Sequence, residues 1–396
     1  MQRMLPLQWF QIIALFALYV SGFSNATAEV PPFGAPRPIP HIALLLPINS
    51  PSLGAAAEAV HQGFMTAANV LHAGLPIRVY SDFDETHSVV DTYNTAVING
   101  AVAVVGPLTR DKIRQLADEK NLPVPTLALN IIEGQAPPQM YFFGMAIEAE
   151  AQQVARLARK QNLQQAIVIT TDDPLARRLQ YSFEEQWTAS GGSILREVDF
   201  TGDTSVFEDI TATPDSMVFF ATDAEKSRLI RPYLPNNLAL YATSQIFTGN
   251  SDTLLNFDFD SIHFVDMPWL IQADLPAVAA YPRANPPLST DQERLYALGI
   301  DAYNLIQILL ANQINTALPL DGVTGQVSLK GHTFDREATP SLFAQGHAQS
   351  ADAPLAPAVP MFPGQFKNAA DAASSVEAAS SVGAAVETTP AVEAKP

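Results

Sequence analysis

The chain has 396 residues, of which 47% are hydrophobic and 16% charged. That balance can close a sizeable core and excludes a wholly disordered polypeptide. Acidic side chains outnumber basic ones by 40 to 22, for a formal charge of -18, so nucleic acid is not an expected partner. No cysteine occurs, which removes disulfides, thiolate nucleophiles, thiolate zinc sites and a lipobox cysteine from consideration.

The first predicted element is an address segment. Arg3 is the only charge before Glu29, an unbroken apolar run follows from Ile12 to Val20, and Ala26-Thr27-Ala28 supplies the small residues of a cleavage point. Gln8 and Gln11 interrupt the stretch from Leu5 onward, which is short for a membrane span of about 20 residues. Residues 1–28 therefore read as a cleavable signal peptide followed by a short linker over 29–38. The expected location is periplasmic, with no stable membrane span after cleavage.

Between Ile39 and Gly346 short apolar runs alternate with helix-length amphipathic stretches, the pattern of parallel β/α/β units. Strand His41 to Leu46 leads into a helix from Gly54 to Leu71, strand Ile77 to Tyr80 into a helix near Ser88 to Asn99, and strand Ala101 to Val105 into a helix at Lys112 to Lys120. Strand Val124 to Leu129 ends this series. A second series starts near Gln164, with strands Ala166 to Thr170, Ile194 to Phe200, Met217 to Ala221, Leu238 to Ala242 and Ile262 to Phe264. Their helices run over Pro174 to Ala189 and Ala224 to Tyr233, with a short one around Ser205 to Thr211. A long helix is predicted near Asp291 to Asn312, opened by Thr290-Asp291-Gln292-Glu293 at capping-box spacing.

The expected fold class is α/β: two Rossmann-like lobes with parallel sheets, joined by a hinge. Lobe 1 covers 39–145, lobe 2 covers 146–270, and 271–349 holds a crossover, the long helix and closing strands. Crossing segments fall near Tyr141 to Ala149 and Trp269 to Asp291. From 350 to 396 the chain is rich in Ala, Pro and Ser and reads as a disordered tail.

Searches for reactive chemistry come out negative. No Gly-x-Gly marks a dinucleotide fingerprint, no Gly-Lys a phosphate loop and no Gly-x-Ser-x-Gly a hydrolase elbow. The 7 histidines are scattered without an i, i+4 pair. The acidic pairs Asp82/Asp84 and Asp258/Asp260 lack the glycine a calcium loop needs and read as strand-end carboxylates and turn caps. No cofactor, metal site or catalytic residue is assigned. The expected ligand contacts lie in the loops at the carboxyl ends of the strands, where open α/β sheets place ligands. They are Ser50, Thr109 and Asn130 from the first lobe and Asp172, Thr222, Ser244 and Gln245 from the second.

Several runs resemble one family in order along the chain. Pro40 to Pro47, Gly63-Phe64, Val104-Val105-Gly106-Pro107-Leu108, Pro125 to Asn130, Tyr241-Ala242-Thr243-Ser244, Asp266-Met267-Pro268-Trp269-Leu270 and Gly322-Val323-Thr324-Gly325 are similar to the penicillin-binding-protein activators of the LppC/LpoA type. That resemblance implies a type I periplasmic binding protein fold and a role in binding and stimulating a peptidoglycan synthase, a bifunctional penicillin-binding protein. Two features depart from the family pattern: the missing lipobox cysteine, and a linker with no room for the helical-repeat domain that precedes this one in the best-known activators. Amino-acid-binding relatives commonly carry a Ser-x-Thr pair after the fourth strand, where Ala128-Leu129-Asn130 stands. The expected function is a non-catalytic binding module that regulates a synthase through protein contact. The alternative is a solute-binding protein for an amino acid or other small polar ligand in the interlobe cleft.

Overall fold

A computed structural model of the protein describes residues 38–72, 74–81, 87–251 and 253–352. The signal segment, most of the linker and the tail from 353 onward lie outside the described residues, as do Asp82 and Asp84.

The first sheet contains β1 (His41–Leu45), β2 (Ile77–Tyr80), β3 (Ala101–Val105), β4 (Thr126–Ala128) and β5 (Met140–Phe143). Its parallel core runs in the order β2-β1-β3-β4-β5, so the strand order reverses between β1 and β3. All five β1 residues are buried, but toward two layers. Ile42 and Leu44 pack with helix α1 (Gly54–Leu71), whereas Ala43 and Leu45 face α2 (Val89–Ile98) and α3 (Arg110–Ala117). This two-sided burial is why β1 reads as a continuous apolar run rather than an alternation.

The second sheet repeats the plan with β6 (Gln165–Thr170), β7 (Ser193–Asp199), β8 (Ser216–Phe220), β9 (Ala239–Ala242) and β10 (Ile262–Asp266), in the order β7-β6-β8-β9-β10. Ala166 and Val168 pack against α4 (Ile147–Lys160) and α5 (Pro174–Ala189). Ile167 and Ile169 face the other side, toward α6 (Ala224–Ile230). Asp173 caps α5 through Leu175 N and Pro174 takes the first turn.

The long helix α7 (Thr290–Leu310) leaves the second lobe and packs on α1. Gly63 and Gly299 make that approach feasible: a Cβ at Gly63 would stand 1.9 Å from the Tyr296 carbonyl oxygen, and one at Gly299 2.1 Å from that of Val60. Phe64 then meets Tyr303 edge-on at 5.1 Å, and the Thr66 and Tyr296 hydroxyls are 2.7 Å apart.

The structure differs from the sequence reading in four places. Met140–Phe143 forms β5, paired in parallel with β4, where a crossing segment is predicted. The sheets are mixed, because the closing strands add antiparallel edges. β11 (Leu320–Asp321), β12 (Gln326–Lys330) and β13 (Thr333–Glu337) extend the first sheet, while β14 (Thr339–Ala344) and β15 (His347–Ser350) extend the second. The chain thus crosses between lobes a third time, at Ala338, where no turn residue marks the passage. The capping box of α7 is built by Ser289 with Gln292, since Thr290 donates its hydroxyl to the Thr248 carbonyl instead.

Candidate functional site

The loops that follow β1 and β3 flank the reversal point of the first sheet, and those that follow β6 and β8 flank that of the second, the position at which doubly wound sheets open a crevice. Ser50 lies in the loop after β1, where its Oγ accepts from Leu53 N at 3.2 Å. Thr109 precedes α3 at the N-cap position without a side-chain cap and is half-buried. Asn130, after β4, joins two loops: its Nδ2 donates to the Leu108 carbonyl at 3.3 Å, and its Oδ1 accepts from Ile131 N at 2.9 Å and Arg110 Nε at 3.4 Å.

In the second lobe Asp172 is exposed beside the capping Asp173. Thr222 is buried and shares a 2.7 Å hydrogen bond with Ser227. Ser244 is also buried, and its Oγ donates to Glu150 Oε2 at 2.6 Å. Gln245, half-buried, follows it in the short turn Ser244–Ile246. The structure thus joins Asn130 to the loop after β3 and Ser244 to α4, while Asp172 lies in a separate groove of the second lobe.

Residues outside the sequence-based set form the centre of the interlobe region. Three arginines of the first lobe donate to three carboxylates of the second. Arg110, at the start of α3, reaches Glu148 Oε1 at 3.4 Å; Glu148 also receives Arg178 from α5. Arg336 on β13 pairs with Glu150 at 2.5 Å and donates to the Thr324 carbonyl at 3.1 Å. Arg294 on α7 contacts Asp266 at 2.7 Å through Nη2 and 3.2 Å through Nε, and Nη2 also donates to the carbonyls of Ser244 and Phe247. Ser244 therefore stands between the Arg294 and Arg336 pairs, making them one continuous polar seam. Glu148 and Glu150 lie in the first turn of α4, where the helix dipole favours negative charge.

Burial and partners set the charges along the seam. Burial pushes the Asp266 carboxyl up, against the pull of the Arg294 guanidinium. Burial alone would lower Arg294, but the carboxylates of Asp266, Glu150 and Asp291 outweigh it and hold the guanidinium above its ordinary value. Glu148 would likewise rise on burial, but the hydrogen bond and charge of Arg178, with Arg110 behind it, hold it below its ordinary value.

The hinge strands are bonded as well. Gln153 of α4 donates to the Ala338 carbonyl at 2.7 Å and accepts from Ala338 N at 3.0 Å, so one buried amide grips the third crossing at both ends. Asp301 of α7 accepts from Val323 N, Thr324 N and Thr324 Oγ1 at 3.1, 2.8 and 2.6 Å. A Cβ at Gly322 would stand 2.5 Å from that carboxylate, which explains the glycine that opens Gly322-Val323-Thr324-Gly325. Trp269, fully buried, donates to Glu293 at 2.5 Å and lies under Arg283 at 3.8 Å. Beside Glu150 and Arg336 the remaining void is about 10 Å³, the space of roughly one water.

Periodicity carried a usable signal for part of the seam. Arg294 and Asp301 fall on the stripe of α7 that also buries Ala297, Leu298 and Leu305, and a charged residue on a buried stripe must find a partner. The partners come from remote loops, which spacing along the chain does not reveal. Among the described residues no cluster of His, Cys, Asp and Glu could hold a metal, and no helix is long and apolar enough to cross a membrane.

Two lobes with the same strand order, joined by three crossings and by arginine–carboxylate pairs between them, define a type I periplasmic-binding-protein-like molecule. A family model described as "LppC putative lipoprotein" matches residues 35–213 and 208–343. The chain belongs to that family. Similar proteins include the penicillin-binding protein activators LpoA of Haemophilus influenzae, 26% identical over 311 residues, and of Pectobacterium parmentieri, 24% over 332 residues. The alignments cover 73% and 70% of this chain but 51% and 48% of the relatives, so the chain spans about half their length.

Among solved structures, one described as a "putative branched-chain amino acid ABC transporter" from Chromobacterium violaceum is 34% identical with a TM-score of 0.68, over 77% of this chain and 100% of that one. The LpoA C-domain from Haemophilus influenzae, described as a regulator of PBP1A, shares the fold with a TM-score of 0.67 at 23% identity, over 78% of this chain and 99% of that one.

Proposed function

We propose that this protein is a non-catalytic periplasmic module that contacts a bifunctional penicillin-binding protein and stimulates its peptidoglycan synthesis. The observation that carries the proposal is the state of the cleft. The polar atoms of Asn130, Thr222 and Ser244 are engaged within the protein, and three arginine–carboxylate pairs already tie lobe to lobe. A cleft stitched in this way presents a fixed outer surface, which suits recognition of a protein better than closure around a solute. The names of the curated relatives support the same partner class.

The test is to add the purified protein to the bifunctional synthases of its own organism, measuring complex formation and the rates of glycan polymerisation and peptide cross-linking. A complex and a faster rate are expected; no complex with any synthase and an unchanged rate would refute the proposal.

A second reading, binding of an amino acid, is favoured by the 34% identity to the Chromobacterium violaceum protein along its full length. A ligand held at 100 times its dissociation constant stabilises a protein by about 2.7 kcal/mol. Thermal unfolding in the presence of amino acids, peptides and muropeptides separates the readings: the synthase reading expects no shift.

A further inference from the structure

A groove of about 550 Å³ opens on the second lobe, at the carboxyl ends of β6, β7 and β8. Its walls come from that lobe alone and include none of Ser50, Thr109, Asn130 or the arginine seam. The floor is apolar: Phe200, at 8% exposure, lies beside Phe207, which in turn lies beside Tyr233, with ring centroids 5.7 and 6.4 Å apart. Leu229 and Tyr233 complete the wall and are 53% and 52% exposed, so the groove offers an accessible apolar surface beside its polar rim.

The rim carries the exposed carboxylates of Asp172, Asp173 and Asp223, against a single cation, Lys226. Asp173 and Asp223 each use only Oδ1 to cap the helix behind them, at 2.7 Å to Leu175 N and 2.8 Å to Lys226 N. Their negative charge therefore remains available to a visitor.

We propose that this groove is the docking surface for a basic segment of the protein partner, with an arginine or lysine set among the three carboxylates and an apolar neighbour laid on Leu229 and Tyr233. The inference rests on the synthase-partner reading for the partner's identity and on the groove's own chemistry for the segment. A guanidinium suits the rim because it can bond carboxylates in pairs and stack on the Tyr233 ring. The exposed leucine and tyrosine call for an apolar side chain next to that charge, which a peptide segment supplies and a free cation does not. The net charge of -18 draws basic surfaces toward the protein and repels an anionic membrane.

The experiment compares three forms of the full chain: wild type, the triple variant D172N/D173N/D223N and a distant control, D118N/E119Q/E133Q, which removes the same charge from the first lobe. Asparagine caps a helix about as well as aspartate, so the groove variant keeps its helix starts while losing their charge. Two probes are titrated at low and high salt: the organism's bifunctional synthase and a fluorescent Arg-Trp-Arg peptide.

The expected result is at least tenfold weaker binding of both probes to the groove variant, with a flatter salt dependence, and near-wild-type binding by the control. Synthase binding that is equal in all three forms overturns the groove while leaving the synthase reading intact. Absence of synthase binding by the wild type refutes that reading, and the peptide then decides the groove: equal loss in groove and control variants, or no peptide binding at all, overturns it. L229S/Y233A, which removes the apolar wall without adding charge, serves as a second variant: weaker binding of both probes by a form that still unfolds cooperatively is expected, and unchanged binding overturns the apolar half of the groove.

Discussion

Arg294 contacts four partners at once. Its side chain, 9% exposed, pairs with the buried Asp266 and the exposed Asp291 and donates to the carbonyls of Ser244 and Phe247. Removing one partner of a buried pair leaves the other charge uncompensated, which costs about 3–5 kcal/mol. Arg294→Leu is therefore expected to lower stability by about that amount in urea denaturation, and Arg294→Lys to recover only part, because an ammonium cannot reach both carboxylate oxygens and both carbonyls.

A pH dependence follows from His263 and Glu148. His263, stacked on Tyr241 at 5.1 Å, is held below its ordinary value of 6.5 by burial. The unfolded chain then takes up the proton first as pH falls, so the stability tied to neutral His263 is present above about 6.5 and lost below it. Glu148, held below 4.5 by Arg178 and Arg110 against burial, adds stability present above about 4.5 and lost as pH falls further. Thermal midpoints measured from pH 8 to 2.5 are expected to decline in two stages. His263→Phe should keep the stacked ring and abolish the first stage.

Sequence reached these residues unevenly. Ser244 and Asn130 were legible because they end apolar strands. Glu150, Asp266 and Arg336 were not, because their meaning lies in pairings across 186 or 28 positions of chain.

At the level of elements, α1 and α7 set the packing of the first lobe through two glycines. A side chain at Gly63 meets backbone rather than a movable side-chain tip, so the helices must separate. Gly63→Val is expected to destabilise by roughly 3 kcal/mol, the upper part of the range for overpacking a core. Gly74→Ala, with nothing within 4 Å of the added Cβ, is expected to leave the urea midpoint close to wild type.

Most elements of both parallel cores were readable, because strands buried on both faces are continuous apolar runs and the helices between them carry clear stripes. The closing strands β12 to β15 were harder to read individually. They are short and lie toward the outer ends of the two sheets, and β13 carries Asp335, Arg336 and Glu337 within five residues. They divide between the two sheets at Ala338, whose backbone is bonded to Gln153 from 185 positions away, a contact that spacing along the chain does not reveal.

Across the whole molecule, the arginine pairs divide into an outer and an inner set. Arg110 and Glu148 are 35% and 28% exposed at the side chain, whereas Arg336 and Glu150 are 5% and 6%. An exposed pair contributes little to stability, typically up to about 1 kcal/mol. Arg110→Ala should therefore leave the urea midpoint nearly unchanged but free the outer edge of the lobes. The expected reading is a longer interlobe distance by fluorescence transfer between dyes on the two lobes; an unchanged distance would show that the inner pairs alone hold the closure. Arg336→Ala is expected to widen the distance and also to destabilise, since it strands a buried Glu150.

The route of α7 back to the first lobe bears on how the protein comes into being. The strands β6 to β10 of lobe 2 lie in one stretch of chain, and their parallel core can begin to assemble before the C-terminal segments join it. Lobe 1 has no such independence. The glycine face of α1 waits uncovered until residues about 230 positions later arrive to lie against it. The half that comes first in the chain is thus the last to mature, and during that interval its apolar surface is open to a folding chaperone.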